Sequence, residues 1–169
     1  MRRVIVLRHA IAEDRDEAAR GGIPDERRAL TDRGIRRMRA TAAGIATVED
    51  DIVGIAHSPL TRATETARLL ADACPKAVLD ETRALTPGVR TDALFAYLAA
   101  GESRGTMCVV GHEPGLGEWL GEAVAGPGAP PMPLKKAGAA LLRFAGEPCA
   151  GGGELEWFLP PRLSRRLGT

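Results

Sequence analysis

The sequence predicts an α/β protein built on a three-layer, open and mostly parallel sheet, with helices on both faces and a late β-hairpin. Short β-branched runs alternate with amphipathic helical patterns, as in parallel sheets with crossover helices. Two late apolar runs flank a glycine-rich stretch at 146–153, which indicates the hairpin. The 169 residues fit a single domain spanning 1–169, and 44% of them are hydrophobic, which is enough for one core.

The first half of the chain supplies three of the predicted strands. In chain order, the elements are a strand at 3–8, a helix at 30–48, a strand at 51–58, a helix at 59–73 and a short strand at 76–80. Thr31 is a suitable N-cap for the first helix, whose apolar residues repeat at helical spacing. Ser58 and Pro59 fit the N-cap and the first position of the second helix.

The second half continues the alternation and then turns into the hairpin. Its elements are a helix at 91–101, a strand at 106–112, a helix at 114–126 and the hairpin strands at 137–146 and 153–160. One earlier stretch, residues 13–28, mixes acidic and basic side chains with little to bury, so we expect a mobile flap or solvated loop there. Within it, Asp25 and Arg28 are expected to shape the entrance of a pocket.

Composition restricts the possible partners. The 23 Lys and Arg residues nearly balance the 22 Asp and Glu residues, and only 4% of residues are aromatic, so no nucleic-acid partner is expected. No stretch approaches the ~20 apolar residues of a membrane span, which predicts no membrane partner and a cytoplasmic location. The three cysteines lack CxxC spacing and fit neither a disulfide framework nor a zinc ribbon. The oligomeric state stays open.

All three histidines follow a predicted strand. His9 stands after the first strand, His57 ends the second, and His112 ends the strand at 106–112. Ligands of open parallel sheets bind at the carboxyl ends of the strands. We therefore expect the functional site at this edge, with His57 in a structural or rim role.

Two arginines accompany His9 and His112. Arg8 precedes His9, and Arg62 falls in the first turn of the helix at 59–73. Helix N-termini attract anions, and guanidinium groups bind phosphate oxygens in bidentate fashion, so this set predicts a site for a dianion. Neither metal nor cofactor is expected, because no HxH, HExxH or Cys/His cluster occurs and the arginines would repel a cation.

Three motifs together resemble a known family. They are RH at 8–9, SPLTRATETA at 58–67 and GHEP at 111–114. In order and spacing they are similar to the signatures of the histidine phosphatase superfamily, which has the phosphoglycerate mutase-like fold. Three further features resemble the bacterial SixA-type phosphohistidine phosphatases. These are RHAIAE at 8–13, DERRALTDRG at 25–34 and ALTPG at 84–88. The resemblance extends from residue 4 to about residue 157.

The resemblance implies roles for four residues. His9 takes the place of the nucleophile, which forms a phosphohistidine enzyme intermediate that water hydrolyses. Arg8, Arg62 and His112 match the other members of the phosphate pocket. Because nearby positive charge disfavours an imidazolium, we expect His9 to be neutral, with its other ring nitrogen held by a backbone carbonyl.

The general acid of the family has no clear counterpart. The resemblance places the glutamate of mutase-like relatives at about the position of Ala84. Glu113, directly after His112, is a possible acid or else a cap of the following helix. Glu13 and Asp14 are further candidates within the polar stretch.

Three functions remain in view. The first is a metal-independent phosphatase that acts through phospho-His9 on phosphohistidine in a signalling protein, or on a small phosphoester. The second is a non-catalytic regulator that binds phosphohistidine, against which the complete Arg8, His9, Arg62 and His112 set argues. The third is a mutase, which needs an acid and a closing lid that Ala84 and the short chain do not supply.

Overall fold

A six-stranded mixed sheet organises the computed structural model, which describes residues 1–101 and 105–168. The strands are β1 (Arg2–Arg8), β2 (Ile52–His57), β3 (Val78–Glu81), β4 (Thr106–Gly111), β5 (Ala139–Phe144) and β6 (Gly153–Leu159). Their order is β3-β2-β4-β1-β5-β6. Strands β1 to β4 pair in parallel, whereas β5 is antiparallel to both β1 and β6. The predicted fold class, including the late hairpin, is confirmed.

Helices cover the two faces of the sheet. They are α1 (Arg15–Arg20), α2 (Asp32–Val48), α3 (Thr61–Ala73), α4 (Thr91–Ala100), α5 (Gly115–Ala125) and α6 (Pro161–Leu167). One apolar core lies between the sheet and helices α2 and α3, with Met38 and Leu70 fully buried. The other lies under α4 and α5, where Trp119 packs between Phe95 and Phe144 at ring-centroid distances of 5.0 and 6.3 Å.

Helix α2 begins as the sequence predicts. The Thr31 side chain accepts a hydrogen bond from the Gly34 amide at 3.0 Å, so it is the N-cap. Gly34 also brings the first turn against the chain that leaves β1, because a Cβ at this position would lie 2.0 Å from the Ile11 carbonyl oxygen. The start of α2 is thereby packed directly beside the segment that follows His9.

Helix α3 begins later than predicted. Its first residue is Thr61 and its N-cap position is occupied by Leu60, which makes no side-chain capping bond, so the assignment of Ser58 and Pro59 to the cap and first turn is wrong. The Ser58 hydroxyl instead lies 2.9 Å from a ring nitrogen of His112. The same hydroxyl accepts from the Leu60 amide at 3.3 Å, which precedes the first residue of α3, so Ser58 makes no capping bond to the helix itself.

Residues 13–28 are more ordered in structure than a solvated loop. Asp14 caps α1 by accepting from the amides of Asp16 and Glu17, and a 3₁₀ turn follows at Asp25–Arg27. Arg28 is buried and donates to the Glu13 carbonyl oxygen at 2.6 Å. The expectation of a solvated stretch is therefore wrong for Arg28, because its charge is met by partners within the same segment.

The last helix, α6, has no counterpart in the sequence prediction. It packs on α2, where a Cβ at Gly44 would lie 1.8 Å from the Ser164 carbonyl oxygen. Leu163 and Leu167 of α6 are exposed, so the helix meets α2 through a close approach between backbones and not through an apolar repeat of its own. Within the described ranges, none of the helices has the length and apolar character needed to cross a membrane.

Candidate active site

The ends of β1, β2 and β4 meet at one edge of the sheet. Backbone hydrogen bonds continue one residue past the strands, from the His9 amide to the Gly111 carbonyl at 3.0 Å and from the Ser58 amide to the Val110 carbonyl at 3.1 Å. These bonds fix where the side chains leave the sheet. The imidazole rings of His9 and His112 are thereby brought to a centroid distance of 5.1 Å.

The ring of His9 is held in one tautomer. Its Nδ1 lies 2.7 Å from the carbonyl oxygen of Ala10, and because a carbonyl can only accept, Nδ1 carries the proton. The expectation of a backbone carbonyl at this nitrogen is confirmed. The pKa of His9 is lowered to about 3, mainly by burial and also by His112, Arg62 and Arg8, which together outweigh the opposing bond to Ala10. The neutral ring therefore has its lone pair on Nε2.

His112 is neutral for the same main reason. Its pKa is lowered to about 3, first by burial and then by the charge of Arg62. Its Nε2 lies 2.9 Å from the Ser58 hydroxyl oxygen, while its buried Nδ1 has no hydrogen-bond partner among the described residues. Two uncharged imidazoles thus stand side by side at neutral pH.

Both arginines are anchored by backbone carbonyls. Arg62, which is only 2% exposed, donates from Nη1 to the carbonyl oxygen of Asp25 at 2.7 Å. Arg8 donates from Nη1 to the carbonyl oxygen of Leu134 at 2.8 Å. The Nε atom of each arginine is buried without a partner in the described parts of the chain. Each guanidinium is held rigidly and keeps at least one donor uncommitted.

Asp25 is a member of this network that the sequence indicated only as part of the pocket entrance. One carboxylate oxygen accepts from Arg62 at 3.1 Å, and the other accepts from Arg15 at 3.0 Å and Arg28 at 2.9 Å. Asp25 therefore ties the segment containing α1 to the base of α3. Its sequence motif places it near the site but carries no signal for a contact across 37 positions.

Thr66 is a supporting residue that sequence reasoning missed. Its hydroxyl oxygen accepts from the Ala10 amide at 3.0 Å and donates to the Arg62 carbonyl at 2.6 Å. It thus joins α3 to the residue whose carbonyl orients His9. The i to i+4 spacing of Arg62 and Thr66 on one helix is the only signal that could have suggested this link.

His57 lies apart from the pair. Its Nδ1 is 2.9 Å from the carbonyl oxygen of Ser58, and the Thr64 hydroxyl approaches at 3.4 Å. Its backbone carbonyl accepts from the Thr82 amide at 2.9 Å, which carries β2 into the turn after β3. These contacts are the structural surroundings predicted for it.

Glu113 is occupied by the loop that precedes β5. Its Oε1 accepts a hydrogen bond from the Leu134 amide at 2.8 Å. It does not cap the following helix, since Pro114 is at the N-cap of α5 and makes no side-chain bond, so that alternative is wrong. Glu113 and Arg8 together hold both backbone groups of Leu134, and this fixes the loop beside the strand ends.

The place expected for the family's glutamate lies close to the site. Ala84, in the 3₁₀ turn Arg83–Leu85, lines a small cavity together with His112 and Trp119. An alanine methyl group can neither donate nor accept a proton there.

Across residues 1–101 and 105–168, no group of three or more His, Cys, Asp or Glu side chains is arranged to hold a metal ion.

The fold and the paired histidines are those of a phosphoryl-transferring α/β enzyme, and comparison with known proteins gives the family. Residues 4–86 match the model of the histidine phosphatase superfamily (branch 1). An uncharacterized protein of Picosynechococcus sp. is 34% identical over 139 residues, which covers 81% of this chain and 82% of that protein. The chain belongs to the histidine phosphatase superfamily and is a phosphatase.

Solved structures agree with this assignment. The protein histidine phosphatase SixA complexed with tungstate matches with a TM-score of 0.79 and 25% identity, covering 95% of this chain and 97% of that chain. A putative phosphohistidine phosphatase SixA from Agrobacterium tumefaciens gives 0.75 at 24% identity, with 95% and 98% covered. A phosphoglycerate mutase from Plasmodium falciparum shares the fold, at 0.64 and 18% identity, with 93% and 89% covered. The predicted SixA-type resemblance is confirmed.

Proposed function

We propose that this phosphatase hydrolyses phosphohistidine carried by another protein, through a covalent phosphohistidine on His9 and without a metal ion. The observation that carries the proposal is the fixed tautomer of His9. With Nδ1–H bound to the Ala10 carbonyl and the ring neutral, Nε2 keeps a free lone pair beside His112 and the two arginines. An uncharged, oriented imidazole nitrogen is a competent nucleophile.

The reaction has two steps. In the first, His9 Nε2 forms a bond to phosphorus while the bond from phosphorus to the substrate imidazole nitrogen breaks, and the substrate histidine leaves as a neutral imidazole whose other ring nitrogen carries the proton. In the second, water attacks phosphorus, the bond to His9 breaks, and inorganic phosphate is released. The two steps together return His9 to its starting state, so it acts catalytically.

Arg8, Arg62 and His112 form the phosphate-binding set of this proposal. Each has a buried nitrogen without a partner among the described residues, namely the two Nε atoms and His112 Nδ1. Buried donors without partners are destabilising, and phosphoryl oxygens would satisfy all three. The Ser58 hydroxyl, when it donates to His112 Nε2, places the ring proton on Nδ1, which suits a phosphate oxygen.

The same charges support metal independence. Two guanidinium groups neutralise the transferring phosphoryl group, which is the task that a divalent cation performs elsewhere. They also lie where a cation would be repelled. Chelators should therefore leave the rate unchanged.

The leaving group favours a phosphohistidine substrate over an alkyl phosphoester. An alkoxide is a strong base and a poor leaving group, so phosphoester cleavage benefits from a positioned acid. An imidazole has a pKa of about 6.5 and can leave without one. Ala84 provides no acid, and Glu113 accepts from the Leu134 amide. The likeness to structures named as phosphohistidine phosphatases supports the same substrate.

The test follows the leaving group. kcat/KM is measured for a phosphoramidate, for aryl phosphates whose leaving phenols are progressively less acidic, and for alkyl phosphates, with wild type and Glu113→Gln. Acid quenching followed by peptide mapping locates the phosphoryl group on the enzyme. We expect label on His9, a steep fall toward alkyl phosphates, and the same slope in both proteins. If kcat/KM does not depend on leaving-group acidity in wild type but depends on it steeply in Glu113→Gln, Glu113 is the acid and the acid-free proposal is refuted.

A further inference from the structure

A basic groove lies next to the candidate active site. It is a cavity of about 280 Å³, and its cationic lining is Arg37, Lys135, Lys136, Arg162 and Arg165. Arg37 comes from α2, the two lysines from the loop before β5, and Arg162 and Arg165 from α6. Three separate elements thus contribute positive charge to one concave surface.

The charges of the basic groove are not neutralised within the described protein. Its ten lining residues include five cations and no carboxylate. None of the five takes part in a salt bridge in residues 1–101 and 105–168. Repulsion from Arg33, with smaller effects of burial and of Arg165, lowers the pKa of Arg37. Like charges gathered in this way favour an anionic ligand.

The basic groove and the site are built in part from the same chain segments. Its lining includes Ala10 and Ile11, and the Ala10 carbonyl is the group that orients His9. On the other side, Lys135 follows Leu134, whose carbonyl anchors Arg8. The chain segments that orient His9 and anchor Arg8 therefore also line the groove or lead directly into it.

We propose that the basic groove docks an acidic segment of the phosphorylated protein, next to its phosphohistidine. This inference rests on the function proposed above and specifies the partner. A small phosphoester would place its phosphoryl group between Arg8 and Arg62 and has no further negative groups to pair with the five cations of the groove. A polypeptide carrying several carboxylates near its phosphohistidine matches their number and their spread over α2, the loop and α6.

Binding of unphosphorylated peptides tests the groove without turnover. The probes are a labelled peptide with one histidine followed by four glutamates and its uncharged analogue with four glutamines, and affinity is measured by fluorescence anisotropy. We expect the acidic peptide to bind wild type at least about tenfold more tightly at low salt, with a smaller preference at high salt. The double variant K136E/R162E should lose that preference.

A matched reversal of charge elsewhere serves as the control. Arg68 and Lys76 are exposed and lie outside the basic groove, so R68E/K76E changes net charge equally. It should keep the preference for the acidic peptide. Equal binding of the two peptides by wild type, or the same loss in both double variants, would overturn the docking proposal.

Turnover of the same peptides, phosphorylated on histidine, separates this inference from the proposed function. We expect a higher kcat/KM for the acidic phosphopeptide, through KM, and no such advantage in K136E/R162E. Hydrolysis of a phosphoramidate should be unchanged by that variant. If wild type fails to hydrolyse either phosphopeptide, the proposed function is refuted, whereas hydrolysis of both at equal kcat/KM refutes docking alone.

Discussion

The ends of β1 and β2 present the same local device with different surroundings. His9 and His57 are both buried, and each places Nδ1 near the carbonyl oxygen of the next residue, at 2.7 and 2.9 Å. Around His9 stand Arg8, Arg62 and His112, whereas a Thr64 hydroxyl approaches His57. The carbonyl bond selects a tautomer in both places. What differs is whether an anion could be held in front of the free nitrogen.

The largest difference between the two strand ends should appear on removing each histidine. We expect His9→Ala to abolish turnover and covalent labelling, because the bond to phosphorus forms at His9. His57→Ala should keep the rate within about tenfold, since it loses packing but no reacting atom. Steady-state rates and acid-quench labelling measure both. Label that survives in His9→Ala would remove the covalent mechanism.

Substituting an arginine near each strand end should give the next largest difference in kcat. Arg62→Ala should lower kcat roughly 10²- to 10³-fold, by analogy with deletion of one donor to a developing charge. Arg83, which is exposed and follows the Thr82 amide bonded to His57, is the matched control, and Arg83→Ala should change kcat less than about twofold. A rise confined to KM in Arg62→Ala would assign Arg62 to ground-state binding alone.

Hydroxyl groups near the two histidines give a smaller contrast. Ser58→Ala removes the 2.9 Å contact to His112, and we expect a three- to tenfold loss of kcat, about the size of one net hydrogen bond. Thr64→Val removes the 3.4 Å contact to His57 and should have no measurable effect. Comparable losses in both variants would indicate that the hydroxyls stabilise the fold and not the tautomer of His112.

The smallest effect at neutral pH concerns stability. His9 and His112 have folded-state pKa values lowered to about 3, mainly by burial, so protonation favours the unfolded chain. Their contribution is intact above the unfolded pKa of about 6.5 and is lost as the pH falls toward 3. Urea unfolding at pH 7 and pH 5 should therefore show a smaller decrease in the free energy of unfolding for His9→Gln than for wild type. An equal decrease would contradict the assigned neutral state.

The sequence predicted the strand ends because a simple rule connects pattern to place. Parallel strands direct their carboxyl ends to one edge, so Arg8, His9 and His112 could be grouped without coordinates. The N-cap role of Thr31 could be predicted just as well, because an N-cap bonds to residues only a few positions away. Predictions of this kind need only local pattern and a known sheet direction.

The supporting contacts could not be found in the same way. Arg8 is anchored to a carbonyl 126 positions away, and any residue type can offer a carbonyl. Helix α6 packs closely against α2 at Gly44, and this approach can be recognised only once the two helices are placed together. Ser58 was misassigned because a serine before a helix favours a cap until another strand offers a stronger partner.

Trp119 gives the molecule an intrinsic optical signal. It is buried between Phe95 and Phe144 and lines the small cavity that also contains His112 and Ala84, while the chain's other tryptophan, Trp157, is partly buried on β6. Its indole emits from an apolar environment, and its emission spectrum responds to changes in the polarity of that cavity. We therefore expect the fluorescence of the unlabelled protein, with Trp157→Phe to isolate the Trp119 emission, to change when an anion binds at the histidines.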